Sequence, residues 1–267
     1  MDWKELLRSK KLYLFDMDGT IYLDDTLFDF TKELLATLKA TGRKYMFMTN
    51  NSSKSVEDYV KKLARLGIPS VEEEFITSAQ ATAIYLKAHH PGKALYVCGT
   101  DSFVKSLEDQ GFPIARDPRE AQAIVMSLDT ELTFGKLRDV CMLLSTRPEI
   151  PYLASHPDLA CPTEFGFVPD CGSICQMVFN ATQRMPDFIG KPNPLMPELA
   201  MEWTGCTREE TVVIGDRLST DIESGVNAGI ATVLVLTGEA TLASSQQSQV
   251  RADIVLKDAG EILKVLK

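Results

Sequence analysis

The 267-residue chain is 45% hydrophobic, enough for a sizeable core and too much for a disordered segment. Its formal net charge of -9, from 28 basic and 37 acidic residues, argues against nucleic acid or an anionic membrane as a partner. No apolar run reaches membrane-spanning length, and Met1-Asp2-Trp3-Lys4-Glu5 is too polar for a secretory leader, so a cytoplasmic location is expected.

The first predicted element is Leu12-Tyr13-Leu14-Phe15, an apolar block of the kind a buried parallel strand uses. It runs into Asp16-Met17-Asp18-Gly19-Thr20, where ligand sites of open α/β sheets lie. Strand geometry points Asp16 and Asp18 to one side, and Gly19 lets backbone N–H groups approach an anion closely. One such carboxylate can attack while its neighbour handles protons. A helix cap or turn uses the same residue types, and the pentapeptide alone fits both readings.

Residues 31–41 carry leucines at 34, 35 and 38, a helical period. Lys44-Tyr45-Met46-Phe47-Met48 is a second apolar strand ending in Thr49-Asn50-Asn51-Ser52-Ser53, which suits phosphoryl oxygens or the capped start of a helix. Residues 51–66 read as that helix, stopped by Gly67-Ile68-Pro69. Such βα units predict a parallel sheet with helices on its faces. Residues 79–186 read as a second, smaller α/β unit, with strands at 94–98, 123–126 and 151–154 and a helix at 137–144. Its Gly99-Thr100-Asp101 turn lacks the G-x-G-x-x-G of a nucleotide fingerprint.

The first unit resumes at 187. Ile189-Gly190-Lys191-Pro192-Asn193-Pro194 holds a lysine on a stiff turn, where its ammonium suits phosphate or plain solvent. Thr211-Val212-Val213-Ile214 runs into Gly215-Asp216-Arg217-Leu218-Ser219-Thr220-Asp221. Asp216 and Asp221 suit a hard cation together with Asp16, and Asp221 equally suits the cap of a helix beginning near Ile222. A strand at 231–236 ended by Thr237-Gly238, a polar loop or helix start at 244–249, an edge strand at 252–256 and a last helix complete the reading.

Of the six cysteines, Cys98, Cys141 and Cys206 are scattered and read as small core or helix residues of a reducing compartment. His156, Cys161, Cys171 and Cys175 lie closer together but lack the Cys-x-x-Cys spacing of structural zinc sites.

Each cluster is weak alone; their order, each at a strand end, is specific. In that order the chain resembles the haloacid dehalogenase superfamily of phosphotransferases, through Asp16-Met17-Asp18-Gly19-Thr20, Thr49-Asn50, Gly190-Lys191-Pro192 and Gly215-Asp216 with Asp221. The resemblance covers the whole length. The long insertion between Thr49 and Lys191 matches a cap of the second type, as in the nitrophenylphosphatase-like (NagD-like) branch, as do Asn50-Asn51-Ser52 and Pro169-Asp170-Cys171-Gly172-Ser173. It implies a doubly wound parallel sheet over residues 1–78 and 187–267, with an α/β cap inserted at 79–186.

The resemblance also implies roles. Asp16 is the nucleophile that forms an aspartyl-phosphate, and Asp18 protonates the leaving oxygen and then activates water. Mg2+ bridges Asp16, the Asp18 carbonyl and Asp216, with Asp221 orienting its waters. Gly19, Thr49, Asn50, Asn51 and Lys191 bind phosphate. A second aspartate at 18 argues against a dehalogenase, and no Schiff-base lysine in a different cap points to phosphonatase chemistry. Small phosphate monoesters are the expected substrates: sugar, glycerol or nucleoside monophosphates, with broad specificity. The rivals are a phosphotransferase to a sugar acceptor and a silent phosphate-binding regulator, although silent paralogues should lose one of Asp16, Asp18, Lys191 or Asp216. The cap loop 155–161, with His156 and Cys161, together with 169–173, is the expected reader of the alcohol. His156, where many branch members carry Asn, fits either a substrate contact or an exposed loop residue. Cys161 stands where phosphatases of vitamin B6 phosphate tend to have histidine, which weakens that assignment. Capped relatives often dimerise through the cap, so a homodimer is one expectation.

Overall fold

The runs Leu12–Phe15 and Thr211–Gly215 are buried at every residue, and Lys44–Thr49 and Ala231–Val235 at every residue but the first. Strands buried on both faces read as such unbroken apolar runs. A computed structural model of the chain describes residues 2–163 and 165–266. It separates into two compact units, one of Met1–Thr49, Val60–Ile76 and Lys191–Lys267, the other of Asn50–Tyr59 and Thr77–Gly190.

The first unit holds a six-stranded sheet in the order Ile254–Leu256, Ala231–Val235, Thr211–Gly215, Leu12–Phe15, Lys44–Thr49, Phe75–Thr77. The chain winds outward from Leu12–Phe15 in both directions, and its two neighbours pair with it in parallel, Phe15 lying opposite both Ile214 and Phe47. That register brings the residues after Phe15, Ile214 and Phe47 side by side, with Thr49 one position further on, at the switch point of the sheet where α/β folds place ligands. Phe47 is fully buried, its ring 5.1 Å from Phe75 and 5.3 Å from Tyr45.

The second unit has its own parallel sheet, in the order Asp187–Phe188, Tyr152–Ala154, Ala123–Met126, Leu95–Cys98. Ile124, Met126 and Ala154 pack with Val140, Leu143, Ile174 and Val178 from the helices Phe134–Thr146 and Cys171–Thr182. Asp187–Phe188 pairs here with Leu153 and Ala154, and the contacts divide the chain at 76/77 and 190/191. The sequence reading draws the lines at 78/79 and 186/187 and keeps 50–59 in the first unit.

Elements that the sequence reading does not include are the helices Trp3–Arg8, Ser78–His89, Cys171–Thr182 and Leu195–Thr204, the hairpins Tyr22–Leu23 with Thr26–Leu27 and Ala160–Thr163 with Gly166–Pro169, and the strand Phe75–Thr77, among others. The helix expected from residue 51 begins at Val56, because Ser55 and Asp58 cap it reciprocally (Ser55 N to Asp58 Oδ2 3.1 Å, Asp58 N to Ser55 Oγ 3.2 Å). Asn51 instead folds its side-chain oxygen onto Ser53 N. The polar stretch at 244–249 contains the end of a short helix, Leu242–Gln247, capped by Thr241. Replacing the core ring, Phe47→Ala, is expected to destabilise the protein by about 3–5 kcal/mol, read as a lowered urea midpoint; a loss below about 1 kcal/mol would contradict its place in the core.

Candidate active site

In the first unit the ends of three neighbouring strands supply Asp16, Thr49 and Asp216, and Lys191 joins them from the Gly-Lys-Pro turn. The buried Lys191 ammonium donates to Asp16 Oδ1 (2.6 Å), Asp221 Oδ1 (2.5 Å) and the Met48 carbonyl (3.1 Å). Burial alone would lower its pKa, but Asp16 and Asp221 outweigh that and raise it, so it stays charged. Asp16, Asp216 and Asp221 offer carboxylate oxygens that lie within 4.8 Å of one another. Burial, with Asp221 and Asp216 adding to it against Lys191, pushes the Asp16 carboxyl well above its ordinary range.

Asp216 is pushed up to about 7, first by burial and then by Asp221. Its Oδ2 accepts from Glu239 N at 2.7 Å, while its buried Oδ1 has no hydrogen-bond partner among the described residues. An orphaned carboxylate oxygen is costly unless something else meets it. The carboxylate is held between two glycines. A Cβ on Gly19 would lie 2.7 Å from Asp216 Oδ2, and one on Gly238 would lie 2.0 Å from it. Gly19 also needs its positive φ of 80°, which a side chain would strain. When all three ionise, these carboxylates exceed the Lys191 ammonium by two negative charges, which a divalent oxygen-seeking cation neutralises. The donor set therefore fits a hard cation. Asp221 is spoken for: Oδ1 takes Lys191 and Oδ2 accepts Arg217 N (3.0 Å).

Asp18 is half-buried, and its pKa is raised by burial against the nearby Lys62. Such a carboxyl keeps its proton more readily than an exposed one. Gly19 departs from the expected anion contact, because its own N–H donates to the Tyr22 carbonyl at 2.8 Å. Its contribution is the space it leaves beside Asp216. Thr49 is buried at its strand end.

The remaining expected residues lie in the second unit. Asn50 donates from Nδ2 to the Asp158 carboxylate (3.2 and 3.3 Å), so part of the amide expected on phosphate is engaged by a carboxylate. Asn51 accepts from Ser53 N and Oγ. His156 is wholly buried rather than an exposed loop residue, with Nε2 at 2.8 Å from Asp170 Oδ1 and Nδ1 at 2.8 Å from Ser155 Oγ. Cys161 sits on the hairpin opposite Val168.

Residues that the sequence reading passed over complete the first unit's site. Thr237 Oγ1 donates to the Gly19 carbonyl (2.5 Å), Ala240 N to the Asp216 carbonyl (3.1 Å), and Gly238 lets this loop lie against the Asp216 carboxylate. The available signal was a strand ending in Thr-Gly at the same edge of the sheet.

Residues 13–113 match the family described as haloacid dehalogenase-like hydrolase, and residues 188–262 match one described as HAD-hydrolase-like. An acid sugar phosphatase of Staphylococcus aureus is 34% identical over 261 residues, 98% of this chain and 100% of that protein. The crystal structure of 4-nitrophenylphosphatase from Thermotoga maritima superposes with a TM-score of 0.92 at 38% identity, over 98% of this chain and 99% of that one. NagD of E. coli K-12 superposes with a TM-score of 0.86 at 27% identity, over 94% of this chain and 98% of that one. With its motif residues gathered at one sheet edge and its likeness running end to end, the chain belongs to the haloacid dehalogenase-like hydrolases, in the NagD and 4-nitrophenylphosphatase branch, and is a phosphatase.

Proposed function

We propose that the protein hydrolyses small phosphate monoesters with Mg2+ as cofactor, through an aspartyl-phosphate on Asp16. The observation that carries this reading is the buried Lys191 ammonium bonded to Asp16 beside the orphaned Asp216 oxygen, at the switch point of the parallel sheet. Lys191 holds Asp16 by Oδ1 and fixes the direction of the other oxygen, which attacks phosphorus in line. As the bond to the ester oxygen breaks, Asp18 gives that oxygen a proton. Water then attacks the same phosphorus, Asp18 takes its proton, and Asp16 leaves as a carboxylate with inorganic phosphate released. The raised Asp18 pKa supports the first of these duties.

Lys191 and Thr49 meet the non-bridging oxygens, whose charge the site must stabilise through both transfers. Bound Mg2+ supplies further neutralisation of that charge, and Asp16, the Asp18 carbonyl and Asp216 are the residues that would hold it. Asp221 orients Lys191. The relatives named acid sugar phosphatase and 4-nitrophenylphosphatase support sugar phosphates as the natural class and 4-nitrophenyl phosphate as a test ester.

Asp16→Asn is expected to lower kcat for phosphate release by about 10⁴-fold or more while the circular dichroism spectrum is kept. Retained turnover would remove Asp16 as nucleophile. Asp18→Asn separates the two half-reactions. 4-Nitrophenolate leaves without a proton, so this variant should release about one equivalent of nitrophenol per site in a burst and then stall, because water is no longer activated. Steady release without a burst would contradict that assignment. Gly238→Ala crowds the Asp216 carboxylate and should weaken Mg2+ binding by about 10–100-fold in calorimetry, with little change in melting temperature in EDTA. Unchanged Mg2+ affinity would sink the metal assignment of Asp216.

A further inference from the structure

The second unit contains a buried polar cluster that the chemistry above does not use. His156 follows the strand Tyr152–Ala154 and is bonded at both ring nitrogens. On one side is Asp170, which also accepts from Cys171 N (2.6 Å) and so caps the helix Cys171–Thr182. On the other is Ser155, whose Oγ is 3.1 Å from Ser52 Oγ, itself 2.6 Å from Ser127 Oγ. The loop that follows lies against the start of the same helix: Gly172 N donates to the Asp158 carbonyl (2.8 Å) and Ser173 Oγ to the Leu159 carbonyl (2.6 Å). A Cβ on Gly172 would lie 2.0 Å from the Pro157 carbonyl oxygen, so only glycine permits this approach. At the end of the loop the Asp158 carboxylate accepts from Asn50 Nδ2.

We infer that His156 is a positioning residue: it locks the loop 155–158 between Asp170 and Ser52 and thereby presents Asp158 to Asn50, the residue next to Thr49 in the chain. This rests on the phosphatase reading and extends it to how the reader of the substrate alcohol is kept in shape.

The charges around His156 tell what keeps it there. Asp158 and Asp170 each offer an oxygen within 4.8 Å of the ring nitrogens. Ser155, Ser52 and Ser127 add only hydroxyls. The Cys171 thiol, also facing the ring, is pushed well above its usual pKa by burial. Burial alone would lower the imidazole pKa, yet Cys171 first, then the Asp170 hydrogen bond and the Asp158 and Asp170 charges, overcome this and push it up to about 9. At neutral pH His156 is therefore an imidazolium paired with Asp170. Because the folded value exceeds the ordinary 6.5, the proton's contribution is complete below about 6.5 and is lost as pH rises through about 9.

The test follows 4-nitrophenyl phosphate turnover with Mg2+ between about pH 7 and 9.5, alongside an NMR titration of the histidine rings. In the wild type KM should rise about tenfold through a midpoint near 9, with a smaller change in kcat. His156→Asn keeps a polar side chain but cannot titrate, so it should show the raised KM at every pH and no alkaline limb. Asp170→Asn should move the limb and the ring titration down by about one pH unit or more. Melting curves at neutral pH establish that both variants fold. A variant series with wild-type KM and an unshifted limb would overturn the inference while leaving the phosphatase intact. No turnover by the wild type would remove the phosphatase reading first, and this inference with it.

Discussion

Everything at the first unit's sheet edge depends on one buried ammonium. Asp16 and Asp221 are two carboxylates with little access to water, and the Lys191 ammonium is paired with both. Breaking such a buried pair by removing one partner typically costs about 3–5 kcal/mol, because the other charge is left unpaired. The same ammonium also bonds the Met48 carbonyl, so it ties the ends of two adjacent strands to the turn after Thr211–Gly215. A site that must hold phosphate needs positive charge in place beforehand. Here that charge is stored as an ion pair that a substrate oxygen can share.

The two units use one construction for different ends. Both are parallel sheets, and both gather polar residues just beyond the carboxyl ends of their strands. In the first, those residues are Asp16, Thr49 and Asp216, left with an unmet oxygen and an excess of negative charge. In the second, Ser127, Ser155 and His156 satisfy one another and Asp170. An unsatisfied group invites a ligand, whereas a closed network of buried hydrogen bonds specifies a conformation. The contrast separates a reacting centre from a scaffold without reference to motif.

Much of this was legible in the sequence. Strands buried on both faces are unbroken apolar runs, so Leu12–Phe15, Ala123–Met126 and Thr211–Gly215 announce themselves and their ends mark where to look. The helix Ser78–His89 did not, because the residues it buries include Ser78, Ala79, Ala81 and Thr82, small side chains that form no apolar stripe. The helix Cys171–Thr182 opens with Cys-Gly-Ser, chosen for the loop lying on it rather than for helix propensity. Partners distant in sequence were out of reach: Asn50 reads as a phosphate ligand from its neighbour Thr49, and only the fold reveals Asp158. His156 lies in a polar stretch of sequence, and no pattern reports that Asp170 and Ser155 enclose it.

The first unit's discontinuity governs how the molecule can be made. Leu12–Phe15 finds one neighbour, Lys44–Thr49, soon after it emerges from the ribosome, but its other neighbour is Thr211–Gly215. Until that strand is synthesised, one edge of Leu12–Phe15 stays unpaired. The second unit has all its residues by Gly190 and can condense first. A nascent chain therefore carries an open β edge through most of its synthesis, the state in which exposed strands recruit each other.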